Sequence, residues 1–367
     1  MKLELTARLF LLLVFSGTIL AADRPKIAPA DLSSQPVFFG ALLEPPKGRV
    51  YHGWGEFSGL WNQGVAAGAA DEQDLSAYEQ AMKPYSPVML SFYTAPDLQM
   101  VPPFLHRYED LVARRGCFVA EVGLYFQSIQ AQVASGARDT EIAMLADGLL
   151  ESHNPVLLRI GYEFNNPWVL YDSGKYVKSF RSIVGLLRAR HASNVAAVWN
   201  ATPTGFKAAN YMDWYPGDDV VDWWSINIFD LDDFDRPEVA AFLDAARAHH
   251  KPVLIGEASP IMRRTIPSFG WIPLPLVRGP ASETEAAEWY SKFIELIRRR
   301  PEIQAVTLIS LDWHRLRSEL GIAIFGPTWG WPDARITQWP EALELWKAAI
   351  SDPRFVSAKE CASIIGK

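Results

Sequence analysis

Residues 156–163 read Val-Leu-Leu-Arg-Ile-Gly-Tyr-Glu, an apolar run that ends in polar residues. Such a run is typical of a parallel strand that is buried on both faces. Downstream, Tyr176 to Arg190 places apolar residues at helical spacing along one stripe, with Lys and Arg opposite. The segment therefore predicts a strand followed by an amphipathic helix, which is the repeating unit of α/β proteins.

The same unit recurs along the chain. Helical spacing returns at Pro237 to His250 and at Ala286 to Arg299. Strand-type runs occur eight times, over residues 37–42, 88–93, 118–123, 156–161, 195–200, 221–227, 253–257 and 305–310. Eight alternations predict an α/β fold of the (β/α)8 TIM barrel class. A doubly wound open sheet is the alternative, but the sequence has neither GxGxxG nor a P-loop.

Composition and charge narrow the function classes. The 367 residues are 49% hydrophobic and 21% charged, an ordinary globular composition, and one barrel would use up this length. The net charge is −7 and no basic run occurs, so we expect no nucleic-acid partner. We expect a monomer.

The N-terminus has the residue order of an export signal. Lys2 and Arg8 are followed by the apolar run Leu9 to Phe15, and then by small residues up to Ala21 and Ala22. The run is shorter than the roughly 20 residues of a membrane span. We therefore expect a signal peptide over residues 1–22 and a single catalytic barrel over residues 23–367. The protein would be secreted or periplasmic, without membrane attachment after cleavage; an uncleaved anchor is the alternative.

Cys117 and Cys361 are the two cysteines of the sequence. Cys117 opens an apolar run, which predicts a buried thiol, and Cys361 lies near the C-terminus. A bond between them is compatible with export, but the spacing does not specify one. The sequence has no CxxC, HExxH or histidine cluster, so we expect no metal site and no cofactor.

Two predicted strands deliver a glutamate to their carboxyl ends, where barrel enzymes carry their catalytic groups. Glu163 follows the fourth strand and Glu257 ends the seventh. Because side chains alternate along a strand, we expect two faces that point into the barrel. They hold Leu157, Arg159, Gly161 and Glu163 on one strand, and Val253, Ile255 and Glu257 on the other.

A pair of carboxyl groups is what glycosidic cleavage requires. One protonates the leaving oxygen and the other attacks the anomeric carbon, at a separation of about 5 to 5.5 Å in retaining enzymes. We assign Glu163 as general acid/base and Glu257 as nucleophile. A salt bridge or a loop anchor is the alternative for either glutamate taken alone.

The sequence resembles glycoside hydrolase family 26, over most of the chain that follows the predicted signal. The resemblance is carried by residues 159–168, 214–223, 251–257 and 331–336. It implies a secreted, retaining β-mannanase or related endo-β-glycanase that acts on a polysaccharide or oligosaccharide. The chain has Tyr162 where the family has a histidine, and Phe229 where it has an aromatic hydroxyl. We therefore expect a divergent relative.

Two charged residues in apolar strands are candidates for holding the active-site glutamates in position. Arg159 lies four residues before Glu163, and a guanidinium inside a barrel needs a partner. Glu121 is the natural one by position. We expect a buried ion pair beneath the active site that fixes Glu163, or a purely structural pair.

Aromatic and amide side chains near strand ends are candidates for sugar binding, because sugar rings stack on aromatic faces. We expect contributions from Trp54, Tyr162, Asn165, Trp168, Asn200, Asn227 and Trp313. Asp312, His52 and His314 are weaker candidates, and the Pro-rich residues 261–283 predict a long loop on the catalytic face. An exo-glycosidase, a transglycosylase and a barrel that only binds carbohydrate are the alternatives to an endo-acting hydrolase.

Overall fold

The computed structural model describes residues 43–57, 66–94, 98, 101–167, 171–206, 210–264, 277–313 and 332–365. The first predicted strand, at residues 37–42, and the predicted signal peptide lie outside these ranges. Among the described helices, none has the length and apolarity needed to cross a bilayer.

Eight parallel strands form a closed barrel, which confirms the predicted fold class. Each strand pairs with the next along the chain, and the last barrel strand pairs with the first to close the ring. The barrel strands are β1 (Val50–Phe57), β2 (Met89–Thr94), β3 (Val119–Leu124), β4 (Val156–Ile160), β5 (Val195–Ala201), β6 (Trp223–Ile228), β7 (Val253–Ala258) and β10 (Ile303–Ile309).

Helices follow the barrel strands on the outside. The three helices expected from spacing are confirmed as α5, α6 and α7. The described helices are α1 (Ala66–Met82), α2 (Val101–Arg115), α3 (Gln130–Ala134), α4 (Asp139–Glu151), α5 (Ser173–Ala189), α6 (Pro237–Ala248), α7 (Glu283–Arg299), α8 (Pro340–Ile350) and α9 (Cys361–Ile365). Asp172 and Ser282 cap α5 and α7 through their side chains.

The first barrel strand is β1, so the sequence-based assignment of that position to residues 37–42 was wrong. Gly53 and Gly55 interrupt the apolar run of β1 and weaken its strand signal. A Cβ at either position would lie 2.6 Å from the Cβ of Met89 or of Ser91 on β2. Glycine is needed at both positions because the neighbouring strand approaches so closely.

The barrel interior has two layers. At the amino end of the strands, the inward side chains form an apolar cluster with members from every barrel strand: Tyr51, Met89, Val119, Leu157, Ala196, Val198, Trp223, Leu254 and Ala305. Towards the carboxyl ends, the inward positions become polar and buried: Ser91, Glu121, Arg159, Asn200, Ser225, Asn227 and Thr307. The buried polar groups of the interior therefore lie towards the carboxyl end of the barrel.

The C-terminal segment covers the opposite end. Strand β11 (Phe355–Val356) pairs with the start of β1, and Val356 and Cys361 join the inner apolar cluster. Cys361 is bonded to Cys117, with their Cα atoms 5.9 Å apart. Cys117 is thus half of a disulfide and not the buried thiol that its apolar context suggested.

Residues 261–283 are not a featureless loop. The antiparallel strands β8 (Ile261–Arg264) and β9 (Val277–Pro280) form a two-stranded sheet directly after β7. Residues 265–276 lie outside the described ranges. The prolines had suggested a loop, but the two ends of this insertion pair with each other through backbone hydrogen bonds.

Candidate active site

Glu163 reaches the barrel mouth through a tight turn. Strand β4 ends at Ile160, and Gly161 and Glu163 then take positive φ angles of 60° and 51°. A Cβ at Gly161 would lie 2.7 Å from Tyr176 in the outer core, so this position points outward. The expected alternation holds for Leu157 and Arg159 but ends there. Glu163 itself adopts a left-handed backbone conformation, which is costly for glutamate. This turn directs its side chain towards the barrel mouth.

Three asparagines hold Glu163. Its backbone N–H donates to Oδ1 of Asn200 over 3.0 Å. Asn227 donates from Nδ2 to Oε1 over 3.0 Å, and Asn166 donates to Oε2 over 2.7 Å. Asn200 also donates to Oδ1 of Asn227 over 3.1 Å, which links the two supports. The carboxyl group is fixed while its residue stays partly exposed.

Glu257 faces inward because β7 has an irregularity at Gly256. Ile255 aligns with Ile226 on β6, but the next aligned pair is Asn227 with Glu257, so β7 holds one extra residue. Ile255 packs in the outer core and Leu254 in the inner cluster. The prediction that Val253, Ile255 and Glu257 share an inward face was wrong, since Val253 and Ile255 face the helices. The bulge turns Glu257 inward, as bulges beside active sites do.

Arg159 joins two carboxylates inside the barrel, and we call Glu121, Arg159 and Glu257 the inner ion cluster. Its Nε lies 2.7 Å from Oε1 of Glu121, and its Nη1 donates to Oε1 of Glu257 over 2.5 Å. The side chains of Glu121 and Arg159 are fully buried, and that of Glu257 is 5% exposed. The expected Arg159–Glu121 ion pair is confirmed, but its further contact is with Glu257, whereas asparagines hold Glu163.

Burial raises the pKa of Glu121 to about 7. The desolvation of the carboxylate outweighs the opposing effects of Arg159 and of the hydroxyl of Thr307, which donates to Oε2 over 2.5 Å. Nearby Glu257 raises the pKa further. Two buried carboxylates share the guanidinium of Arg159, so one of them favours a proton.

Asn227 brings the two glutamates to one place. It donates to Glu163 and is the strand neighbour of Glu257. Paired strands lie about 4.8 Å apart, so Glu257 and the residue that hydrogen-bonds to Glu163 are neighbours at the carboxyl end of the barrel.

The amide residues expected to bind sugar have other contacts. Asn165 is 2% exposed, and its side chain accepts from the backbone N–H of Thr202 and donates to its carbonyl. Asn200 and Asn227 are fully buried and hold Glu163. The three asparagines therefore have structural contacts inside the protein, and sugar binding by them stays a prediction, because an asparagine at a strand end can satisfy buried backbone as readily as a ligand.

Aromatic residues occur at the mouth as expected, in part at different positions. Tyr162 is partly buried and lies over Arg159, with the guanidinium carbon 5.2 Å from the ring centre. Tyr125, which follows β3 and was not predicted, lies 5.7 Å from Tyr162 between ring centres. Trp313 follows β10 and is partly buried. Trp168 and the side chain of Trp54 lie outside the described part of the structure.

Two of the weaker candidates for sugar binding, Asp312 and His52, contact other groups of the protein. Asp312 lies 3.3 Å from Arg335, which also pairs with Asp333 over 2.6 Å. His52 is fully buried outside the barrel interior, beside the ring of Phe355. His314 is not among the described residues. Within the described ranges, no group of three or more His, Cys, Asp or Glu could hold a metal ion.

Comparisons with known proteins give two curated relatives and a solved structure with a similar fold. No family model matches the sequence. A β-1,3-xylanase from a Vibrio species is 28% identical over 243 residues, covering 64% of this chain and 52% of its own length. A second β-1,3-xylanase, from an Alcaligenes species, is 28% identical over 246 residues, covering 64% of this chain and 51% of its own. The chain thus spans about half the length of these curated relatives.

A solved structure gives the same fold. The catalytic domain of a family 26 endo-β-1,4-mannanase from a Bacillus species superposes with a TM-score of 0.57 at 12% identity, covering 89% of this chain and 92% of its own. The chain therefore shares the barrel fold of this family 26 enzyme. At the two positions where the sequence departs from the family 26 pattern, Tyr162 lies over the arginine that binds Glu257, and Phe229 is buried at 2% exposure. Tyr162 also directly precedes Glu163 in the sequence, whereas Phe229 packs in the outer core.

Proposed function

We propose that the chain is a retaining glycoside hydrolase that cleaves a β-linked polysaccharide by double displacement. The supporting observation is that Asn227 donates a hydrogen bond to Glu163, which follows β4, and is the strand neighbour of Glu257 on β7. Two carboxyl groups from these positions can act on the two sides of one glycosidic bond.

In the first step, a carboxylate oxygen of Glu257 bonds to the anomeric carbon while the glycosidic C–O bond breaks. Glu163 gives its proton to the leaving oxygen, so the departing sugar leaves neutral. In the second step, Glu163 takes a proton from water, whose oxygen bonds to the anomeric carbon and releases Glu257. The configuration at that carbon is retained after two inversions.

The contacts of the two glutamates fit these roles. Glu257 hydrogen-bonds to the guanidinium of Arg159, which balances the charge of a nucleophilic carboxylate. Glu163 is held by neutral amides and is partly exposed, so its proton can pass to a bound oxygen and return from water.

The substrate we propose first is β-1,3-xylan, because the two curated relatives carry the name β-1,3-xylanase. A β-1,4-mannan is the second, because the similar barrel from Bacillus is named as a mannanase. The partly buried rings of Tyr125, Tyr162 and Trp313 at the barrel mouth suit the apolar faces of sugar rings. We also propose that the protein acts outside the cytoplasm, after removal of residues 1–22.

The test is a reducing-sugar assay with the wild type, Glu257→Ala and Glu163→Ala on β-1,3-xylan, β-1,4-xylan, β-1,4-mannan and β-1,3-glucan. We expect the wild type to cleave at least one polymer. Loss of the nucleophile should reduce the rate by roughly 10⁴-fold or more, and loss of the acid/base by about 10² to 10⁴-fold.

Glu302→Gln is the matched control, because Glu302 is also buried but lies at the amino end of β10, away from the mouth. We expect it to retain the wild-type rate. A wild type that binds one of these polymers without cleaving it would contradict the proposal and favour a carbohydrate-binding barrel.

A further inference from the structure

The inner ion cluster places a single guanidinium between two buried carboxylates from different strands. Arg159 on β4 contacts Glu121 on β3 over 2.7 Å and Glu257 on β7 over 2.5 Å. The contact with Glu121 is through Nε and the contact with Glu257 is through Nη1. Glu121 therefore contacts the guanidinium at Nε, next to the aliphatic part of the arginine side chain. This contact fixes the direction in which Nη1 points.

The groups around Glu121 and Arg159 are hydroxyls and an aromatic ring, while Asn227, the strand neighbour of Glu257, donates to the further carboxyl group of Glu163. Thr307 on β10 donates to Glu121, the hydroxyl of Ser91 on β2 favours the charged form of Glu121, and the ring of Tyr162 lies over Arg159. Gly256 on β7 leaves the space, since a Cβ there would lie 2.9 Å from Oε1 of Glu121 and 3.1 Å from Cδ of Arg159. Beneath lies the inner apolar cluster.

One guanidinium balances the charge of one carboxylate. A second buried carboxylate without a cation of its own is favoured in its neutral form, because desolvation penalises the charge. The raised pKa of Glu121, about 7, agrees with this balance. Glu257 lies nearer to the mouth and makes the hydrogen bond to Nη1, so Glu121 is the carboxyl group better suited to hold the proton.

We propose that Glu121 is a positioning residue that carries a proton below neutral pH and so leaves the positive charge of Arg159 to Glu257. Its effect on catalysis rests on the proposed function, in which Glu257 is the nucleophile. When Glu121 loses its proton above neutral pH, two carboxylates compete for the guanidinium, and Glu257 loses part of its support.

The protonation itself is tested without activity. Infrared difference spectra of the full-length protein at pH 5 and pH 9 detect the carbonyl stretch of a buried protonated carboxyl group. We expect a band that disappears with a midpoint near pH 7 in the wild type and in Glu302→Gln, and that is missing in Glu121→Gln. A wild type without such a band, or a band that persists in Glu121→Gln, would overturn the proposal.

The positioning role is tested by kinetics on the polymer that the wild type cleaves best. Glu121→Ala should lower kcat by about 10- to 100-fold with KM changed less than threefold, because a displaced guanidinium misplaces the nucleophile. Glu121→Gln keeps an oxygen at the position that contacts Nε, so it should recover most of this loss below pH 7. Equal losses in the two variants, or a loss confined to KM, would contradict the role.

The two proposals fail in different ways. If the wild type cleaves no polymer, the proposed function fails, and the infrared band still decides whether Glu121 holds the proton. If the wild type is active but the band is missing, the proposal about Glu121 fails alone. Unfolding curves of Glu121→Ala and Glu121→Gln, taken beforehand, identify any variant that does not fold.

Discussion

Gly256 lies where the strand bulge and the inner ion cluster meet. A Cβ at this position would lie 2.9 Å from Glu121, 3.0 Å from Oγ of Ser225 and 3.1 Å from Arg159. The residue therefore serves two purposes, since it forms the irregularity that turns Glu257 inward and leaves room for the arginine beside it.

We expect Gly256→Ala to lower the free energy of unfolding by about 1 to 3 kcal/mol through overpacking. It should also reduce kcat, because Arg159 and Glu257 must shift. Gly185→Ala is the matched control, since Gly185 lies in α5 with open space around its Cβ position. There alanine should stabilise by about 0.5 to 1 kcal/mol. Urea unfolding measures the stability of the two variants, and steady-state kinetics measure their kcat. A Gly256→Ala variant with wild-type stability and kcat would contradict the account of the bulge.

The buried imidazole of His52 should make the stability of the protein depend on pH. Burial lowers the pKa of this imidazole from 6.5 to about 3, and neither ring nitrogen has a hydrogen-bond partner among the described residues. Between these values the unfolded chain binds a proton at His52 that the folded chain does not. The free energy of unfolding should therefore fall as the pH drops from 6.5 towards 3, by about 1.4 kcal/mol per pH unit from this group.

The comparison of His52→Leu with His106→Gln tests this prediction, because His106 is exposed on α2. We expect His52→Leu to lose stability less steeply than the wild type below pH 6.5, and His106→Gln to follow the wild type. Urea unfolding between pH 4 and pH 8 measures the slopes. Parallel slopes for the wild type and His52→Leu would show that His52 does not titrate as proposed.

At the residue scale, the sequence located the two glutamates but not what holds them. Arg159 and Glu121 could be paired because charges in apolar strands need partners. The contact of Arg159 with Glu257 could not be foreseen, because it depends on the bulge. The isolated glycine before Glu257 was the available signal, since glycine inside a strand often marks a bulge. Nothing in the sequence separates an asparagine that binds sugar from one that supports Glu163.

At the scale of elements, the apolar runs predicted seven of the barrel strands. Both ends of each predicted strand lie within two residues of the observed ends. Strand β1 was missed because its glycines, required for contact with β2, remove the apolar pattern that identifies a strand. The pairing of β8 with β9 was missed because the prolines of this segment, taken with their sequence neighbours alone, predict a loop. In each case a contact with a distant segment overrides the local signal.

The disulfide joins the barrel to its C-terminal segment. Cys117 precedes β3 and Cys361 begins α9, 244 residues later, so the bond closes most of the chain into one loop. In the chain-entropy description, a loop of this length stabilises the folded state by about 5 kcal/mol. We expect a reductant to lower the Tm of the wild type without altering that of Cys117→Ser/Cys361→Ser. Equal Tm values with and without reductant would contradict a stabilising bond.

At the scale of the whole molecule, the two ends of the barrel have separate tasks. The amino end holds the apolar inner cluster, β11 and the disulfide, and the carboxyl end holds Glu163, Glu257 and their supports. The reduced protein, where it stays folded, should therefore keep the kcat of the oxidised form. Rate measurements well below the Tm, with and without reductant, check this; a large loss of kcat on reduction would mean that the two ends are coupled.

The central claim is that Glu257 attacks the sugar. An activated 2-deoxy-2-fluoro glycoside of the sugar that the polymer assay selects would form the bond to the nucleophile and release it slowly. Peptide mass spectrometry then identifies the labelled residue, with Glu257→Ala as the control. We predict one label per chain, on Glu257, and none in the variant. A label on another residue, or turnover of the polymer with no labelling of Glu257, would contradict the account.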